Sequence, residues 1–448
     1  MSLLFADGCD HYGVKSDIEG KYDVVDGSTQ IAPVNTGGKF GGGYIGISAD
    51  DTAIRKNITA ATTSFFQGYF FFGGADTFGT DLLIVTYDSS IGAQCWLRVV
   101  DSGGTIEVRT TAGVIGTSTE TLTKGQWLFF QLKMVISNTV GEVNFTVDGV
   151  NFLNLTNVDT QSTGNANVGR YAFYCPGTSS IDCRWDDIVL MDDAETENNA
   201  LFDAHRIQTL YPDADGLQND FTAVGAGTTN ADRVDDGDTG PDGDTTYVET
   251  STLDDKDLWE FDNLDSSDVG AIKSLQLVNY IRKDGAGVVT ARNIIRQSPS
   301  PTIFEADDFV PSSSYTAKVN PTPLSTATLL PWTISEVNND VEFGVMLAVD
   351  DAPTTIRATQ GSMEVVYIIA PPSTAVSRHT QTNVEVLHVL IPTVNTVPPQ
   401  VTYTTLNVDL LIAGPQIMTT PQQFIYNGVG ADIQVKQIFL PTSFFMGF

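Results

Sequence analysis

The sequence predicts an all-β protein with room for two to three domains. Short runs rich in Val, Ile, Thr, Phe and Tyr recur along the chain between Gly, Asn and Asp turns, while helix signals are nearly absent. With 448 residues and 41% hydrophobic content, the chain can fill more than one packed core.

The stretch Ser180–Asp193 organises the first part. Ile181, Cys183 and Trp185 alternate, and Ile188 and Leu190 resume the pattern after a change of face at Asp186 and Asp187. That spacing predicts a long strand with one bulge or bend that closes a domain. Adjacent residues of a strand face opposite ways, so the pairs Asp186-Asp187 and Asp192-Asp193 are each expected to split between the two faces.

Before it, Leu3–Ala6 reads as a short strand running into the acidic, Gly-rich turn Asp7–Gly13. Further strands are predicted at Tyr44–Ile47, Ser64–Phe72, Asp81–Tyr87, Gln94–Val100, Thr105–Thr110, Gln126–Ile136, Gly141–Val147 and Asn167–Tyr174. The run Phe65–Phe72 is apolar on both faces, which suits a central strand covered on each side better than an exposed aromatic platform. Residues 193–204 are polar and acidic and read as a connector. Pro371-Pro372 breaks the chain again, and the strands expected at 384–392, 402–412, 423–426 and 432–440 are punctuated by prolines, as edge or augmenting strands allow.

The segments Leu4–Gly13 (LFADGCDHYG), Gly37–Ile47 (GGKFGGGYIGI) and Arg184–Asp193 (RWDDIVLMDD) resemble the first domain of a family of bacteriophage virion proteins, a concanavalin A-like (LamG-like) β-sandwich. His205–Gly216 and several later stretches, among them Met363–Ile369, are similar to the second half of the same phage structural proteins. The resemblance implies tandem β-sandwich domains: a concanavalin A-like sandwich over 1–192, a linker over 193–204, and a second, jelly-roll-like sandwich over 205–370. Residues 371–448 are expected to form a small C-terminal β segment for anchoring or oligomerisation.

Charge limits the partners. The chain holds 23 Lys+Arg against 55 Asp+Glu, a net −32, and a field of that sign disfavours nucleic acid. The acids concentrate in residues 186–270, with 24 Asp or Glu against Arg206, Arg233 and Lys256. Residues 373–448 carry only Glu385, Asp409 and Asp432 against Arg378 and Lys436, and end in the apolar Phe444, Phe445, Met446 and Phe448. That tail is expected to bind a partner, because left in water it would aggregate. Met1–Asp7 lacks a basic start and reaches an acid at once, so no signal peptide is expected; no apolar run approaches 18 residues, so no membrane span is expected. Of Cys9, Cys95, Cys175 and Cys183, the last two are placed to face each other across a hairpin, but reduced buried thiols are the expectation.

Catalytic patterns are missing. There is no Glu-x-Asp-x-Glu strand, no Gly-x-Ser-x-Gly elbow and no Gly-x-x-x-x-Gly-Lys loop, and His11, His205, His379 and His388 are scattered. The leading site candidate is Asp236, Asp238, Asp242 and Asp244, where carboxylates between glycine turns suit calcium, although Gly240 breaks the EF-hand pattern and a solvated acidic loop is the plainer reading. The sequons at Asn57, Asn144 and Asn154 carry no meaning without secretion.

The expectation is therefore a non-enzymatic virion protein without a cofactor, a head decoration, head fibre or tail-associated component. It would be assembled in the host cytoplasm, self-associate, a trimer being what the resemblance to phage proteins implies, and attach to other virion proteins through its C-terminal segment. The alternative is a glycan-binding adhesin module contacting host surface sugars through the loops Asn157–Asn167 and Asp76–Asp81.

Overall fold

A computed structural model describes residues 3–370 apart from 28, 50–51, 178–181 and 351–353. The strands expected beyond residue 370, and with them Phe444, Phe445, Met446 and Phe448, lie outside the described residues. Met1–Pro371 forms one compact unit.

Four antiparallel sheets make two sandwiches. In the first sheet the order is Val150–Val158, Gly141–Val147, Trp127–Val135, Thr63–Phe72, Cys183–Asp192, Tyr44–Ile47 and Ile31–Val34, with Leu3–Asp7 also paired to Cys183–Asp192. The second runs Gly113–Thr121, Thr105–Thr110, Ala93–Val99, Leu82–Tyr87, Val168–Tyr174, Ala53–Ala61 and Val24–Val25. Phe66, Phe70, Phe130, Phe173 and Trp185 fill the core between them. The third sheet is built on the paired long strands Val269–Asp284 and Thr355–Ile369, the fourth on Val289–Gln297 and Val341–Asp350, and Trp259, Phe343 and Tyr367 lie in their common core. All strands of the first two sheets come from residues before 193, and all of the last two from residues after 204.

Thr63–Phe72 is central in the first sheet, which explains its two apolar faces: Phe66, Phe70 and Phe72 point into the sandwich, while Phe65 and Tyr69 are buried on the other side. The expected break in the closing strand is there as well. Its register slips between Asp186 and Val189, and Asp187 takes a left-handed φ of 48°. Strands Ala53–Ala61, Gly113–Thr121 and Val150–Val158 are additional to those expected; they carry little alternation, because most of their positions on both faces are exposed or half-buried.

The two sandwiches meet across the outer face of the first sheet. Phe65, Val189 and Met191 of that face pack with Leu3, Ala6, Ile207 and Val366, and Phe202 of the connector is wedged among them. Gln67 clamps the wedge, donating to the Phe202 carbonyl at 2.6 Å and accepting its amide at 3.2 Å, and Gln131 donates to the same carbonyl at 2.9 Å. The connector is acidic up to residue 197 but plugs the seam at Phe202. One expectation is corrected outright: Cys175 and Cys183 are not reduced thiols but form a disulfide, their Cα atoms 5.7 Å apart across the hairpin. Cys9 and Cys95 are free and buried.

Candidate functional site

The ionisable groups of the seam form two clusters. The first begins at the short helix Lys15–Lys21, whose start is tied by the Asp17 carboxylate accepting the amides of Gly13 and Val14, each at 2.8 Å. The helix delivers Lys21 at its end into the seam, fully buried. There Lys21 Nζ donates to Asp7 Oδ1 at 2.9 Å and to Glu364 Oε1 and Oε2 at 2.7 and 2.8 Å. Asp7 ends the first strand, whereas Glu364 lies in Thr355–Ile369 of the second sandwich, so one ammonium ties both halves of the unit.

The remaining valences are nearly all filled. Asp7 Oδ2 accepts the hydroxyls of Tyr12 and Tyr22 at 2.8 and 2.7 Å. Glu364 accepts the Gly8 amide at 3.0 Å and the Gln276 side-chain amide at 2.6 Å, and Gln276 also exchanges two hydrogen bonds with the backbone of Ala6. Burial pushes the Glu364 carboxyl up to about 7 against the pull of Lys21. Asp7 faces the same burial penalty, but the Lys21 charge and the Tyr22 and Lys21 hydrogen bonds outweigh it and hold its carboxyl below the ordinary range. Asp7 and Lys21 are therefore the charged pair, and Glu364 takes a proton readily. His11, 3.6 Å from Glu364 Oε1, is pushed down to about 3 by burial and stays neutral.

Asp7, His11 and Glu364 are the one trio among the described residues whose ligand atoms lie within 4.8 Å of one another. They do not read as a metal centre, because the ammonium of Lys21 already holds the cation position between the two carboxylates.

The second cluster lies beside the bulge. Asp10, Asp186 and Asp187 line a cavity of about 10 Å³ with Phe40 and Arg206, room for about one water. Asp186 accepts the Lys39 amide at 2.6 Å, Asp187 accepts the Ile207 amide at 2.7 Å, and Asp10 accepts the Gly43 amide at 2.5 Å. Burial raises all three carboxyls, Asp10 to about 6, and the mutual repulsion of Asp186 with Asp10 and Asp187 raises the bulge pair further. The expectation that Asp186 and Asp187 face opposite ways is thus corrected: the left-handed residue at the bulge turns both onto one cavity. The change of face in the sequence was the signal for this. Chemically the trio has the proton-sharing character of an acid-base site, in a space that admits about one water and no saccharide.

The candidate calcium carboxylates Asp236, Asp238, Asp242 and Asp244 bring no three ligand atoms within 4.8 Å of one another, and the loop reads as the solvated acidic turn expected on the plainer reading. Asp244 accepts Arg282 Nη2 at 2.8 Å and the Tyr315 hydroxyl at 3.1 Å, and Asp242 accepts the amide and hydroxyl of Thr246 at 3.0 and 2.9 Å. Asp236 accepts the Asp242 amide at 2.9 Å, and burial pushes it up to about 7. Asp238 receives the Asn35 side chain on its backbone carbonyl, at 2.8 Å, so the loop leans on the first sandwich. Gly13 belongs to that contact, since a Cβ there would sit 1.6 Å from the Thr239 carbonyl oxygen.

No protein-family model matches the chain, and no curated protein matches it. Among solved structures it is similar to the endo-β-1,4-glucuronan lyase of the fungus Trichoderma reesei, at 12% identity and a TM-score of 0.32 over 42% of this chain and 94% of that one. It is also similar to alginate lyase Aly36B, at 12% identity and a TM-score of 0.28 over 40% of this chain and 88% of that one. A Bacillus subtilis protein of unknown function with a galectin-like fold gives 12% and 0.28, over 43% of this chain and 96% of that one. Each likeness covers about two fifths of this chain and says nothing of its chemistry.

Proposed function

We propose that the chain is a non-enzymatic structural protein of a bacteriophage virion, a head decoration, head fibre or tail-associated component that displays its two sandwiches as a single stiff body. The observation that supports this most is the seam. A fully buried Lys21 tied to Asp7 and Glu364, with Phe202 wedged beside it, joins two sandwiches that a mobile linker would leave free. Stiff coupling suits a part that must stand on a particle and hold its orientation. The virion reading itself rests on the resemblance of Leu4–Gly13, Gly37–Ile47 and Arg184–Asp193 to phage structural proteins. Attachment falls to residues 371–448 on sequence grounds, because this stretch is near-neutral and apolar beside an acidic remainder.

The test is the copy number of the protein in particles purified from the source culture, with its position determined by electron microscopy. Hundreds of copies over the shell fit a decoration, and a few to a few tens at one vertex or on the tail fit a fibre or tail part. Particles without the protein would end the proposal. Truncation after Pro371 is expected to give a soluble fragment that no longer joins particles.

A further inference from the structure

The second sandwich covers only part of the outer face of the first sheet. Tyr69 and Phe129 are buried beneath it, and Tyr69 donates its hydroxyl to the His205 carbonyl at 3.1 Å. One step further along the same strands, on the same face, Phe71 and Trp127 are only half-buried. The register aligns Trp127 with Phe71, Phe71 with Arg184, and Arg184 with Gly46, a line across four neighbouring strands. Tyr44, two residues before Gly46 and also half-buried, completes the patch.

The side chains of this line are ordered against one another. Trp127 meets Phe71 with ring centres 5.6 Å apart and Tyr44 edge-on at 6.2 Å. The Arg184 guanidinium lies over Phe71 at 4.4 Å and over Tyr44 at 4.8 Å. Asp182 fixes it by a two-pronged pair, Nε to Oδ1 at 2.8 Å and Nη2 to Oδ2 at 2.6 Å, and the Cys175–Cys183 disulfide staples the strand immediately before Arg184. Gly46, next in the line, has no side chain to lay over the guanidinium.

We propose that this patch is a binding site for a neutral saccharide. Three properties select that occupant. The apolar face of a pyranose presents C–H groups that stack on an aromatic face such as Trp127, the ring the guanidinium leaves uncovered. The Arg184–Asp182 pair offers planar donors and acceptors at the ring's edge for sugar hydroxyls, and its charges cancel locally. In a molecule of net −32, a polyanionic sugar is repelled while a neutral one is not. Size argues against a protein in this place. Three half-buried rings, each about 150–250 Å² in full, leave roughly 225–375 Å² open, short of the roughly 600–800 Å² that each side of a stable protein interface buries. The site goes beyond the structural role proposed above and differs in place from the Asn157–Asn167 and Asp76–Asp81 loops.

The experiment uses the full chain on an array of neutral and uronate oligosaccharides, followed by titration of the best neutral hexasaccharide by isothermal calorimetry, which needs no tryptophan at the site. Retention of a subset of neutral sugars is expected, with affinity falling at least about tenfold in Trp127→Ala and Arg184→Ala and less in Trp127→Phe. Tyr44→Ser, at the rim, is the second variant should Trp127→Ala melt early. The proposal is overturned if no neutral sugar is retained, if uronates alone are retained, or if binding survives both Trp127→Ala and Tyr44→Ser. It is equally overturned if these variants change self-association in the absence of sugar instead of sugar affinity.

Discussion

Replacing Lys21 by Met keeps most of the side chain's length and apolar stem but removes the ammonium that joins Asp7 to Glu364. Two carboxylates then share a dry space. Glu364, already pushed up to about 7, takes a proton, and the remaining cost falls on Asp7, which keeps two tyrosine hydroxyls but loses its counter-charge. Breaking a buried pair in this way costs about 3–5 kcal/mol. The melting shift then reports on the seam. If the two sandwiches unfold as one unit of about 370 residues, an unfolding entropy near 2 cal/mol/K per residue turns that cost into a drop of about 4–6 °C. If the first sandwich unfolds alone, with about half the residues, the drop is about twice as large and the second transition stays in place. Full-length protein is followed by tryptophan fluorescence, since Trp185 reports on the first core and Trp259 on the second. At pH 5, where the carboxylates protonate more easily, the penalty is expected to shrink, and Lys21→Met with Glu364→Gln is expected to melt above Lys21→Met alone. A single variant within about 1 °C of the parent, or a double variant no better than the single, would refute the view that this cation bonds the halves.

Three further outcomes are expected. Melting temperature falls between pH 5 and pH 7.5: Asp10, Asp236, Asp257 and Glu364, raised by burial to between about 6 and about 7, with Asp186 and Asp187 raised further, keep protons in the fold that unfolded carboxylates have already lost. His11 and His205, pushed by burial down to about 3 and about 4, oppose this below pH 6.5 but are outnumbered, so a flat or rising profile would show the buried carboxylates ionised. Phe202→Ala, which empties the wedge, is expected to cost about 3–5 kcal/mol in urea unfolding, and a change under 1 kcal/mol would mean that the connector is not part of the seam. Dialysis against a chelator is expected to leave the melting curve unchanged, because Asp242 and Asp244 are held by Thr246 and Arg282; a drop restored by calcium would contradict this.

Much of the architecture was legible in local pattern. Alternation marks a strand wherever one side meets a core and the other meets water, so Thr105–Thr110 and Gly141–Val147 were read with their observed limits. The run around Phe66 and Phe70, apolar on both sides, announced a covered central strand, and the change of face at Asp186 announced the bulge. Edge strands such as Gly113–Thr121 were not legible, because a strand with little to bury has no reason to alternate. The helix carrying Lys21 was equally hidden, seven residues being too few to show a period.

The sequence by itself therefore determined the fold class and the placing of the closing strand, since these follow from which neighbouring residues must leave water together. The tertiary structure alone decided that Lys21 meets Glu364 343 residues away, that Asp186 and Asp187 share one cavity, and that Tyr44, Phe71, Trp127 and Arg184 form a patch the second sandwich leaves open. Each of these depends on strands distant in sequence being laid side by side in a particular register, and no local pattern encodes register between distant strands.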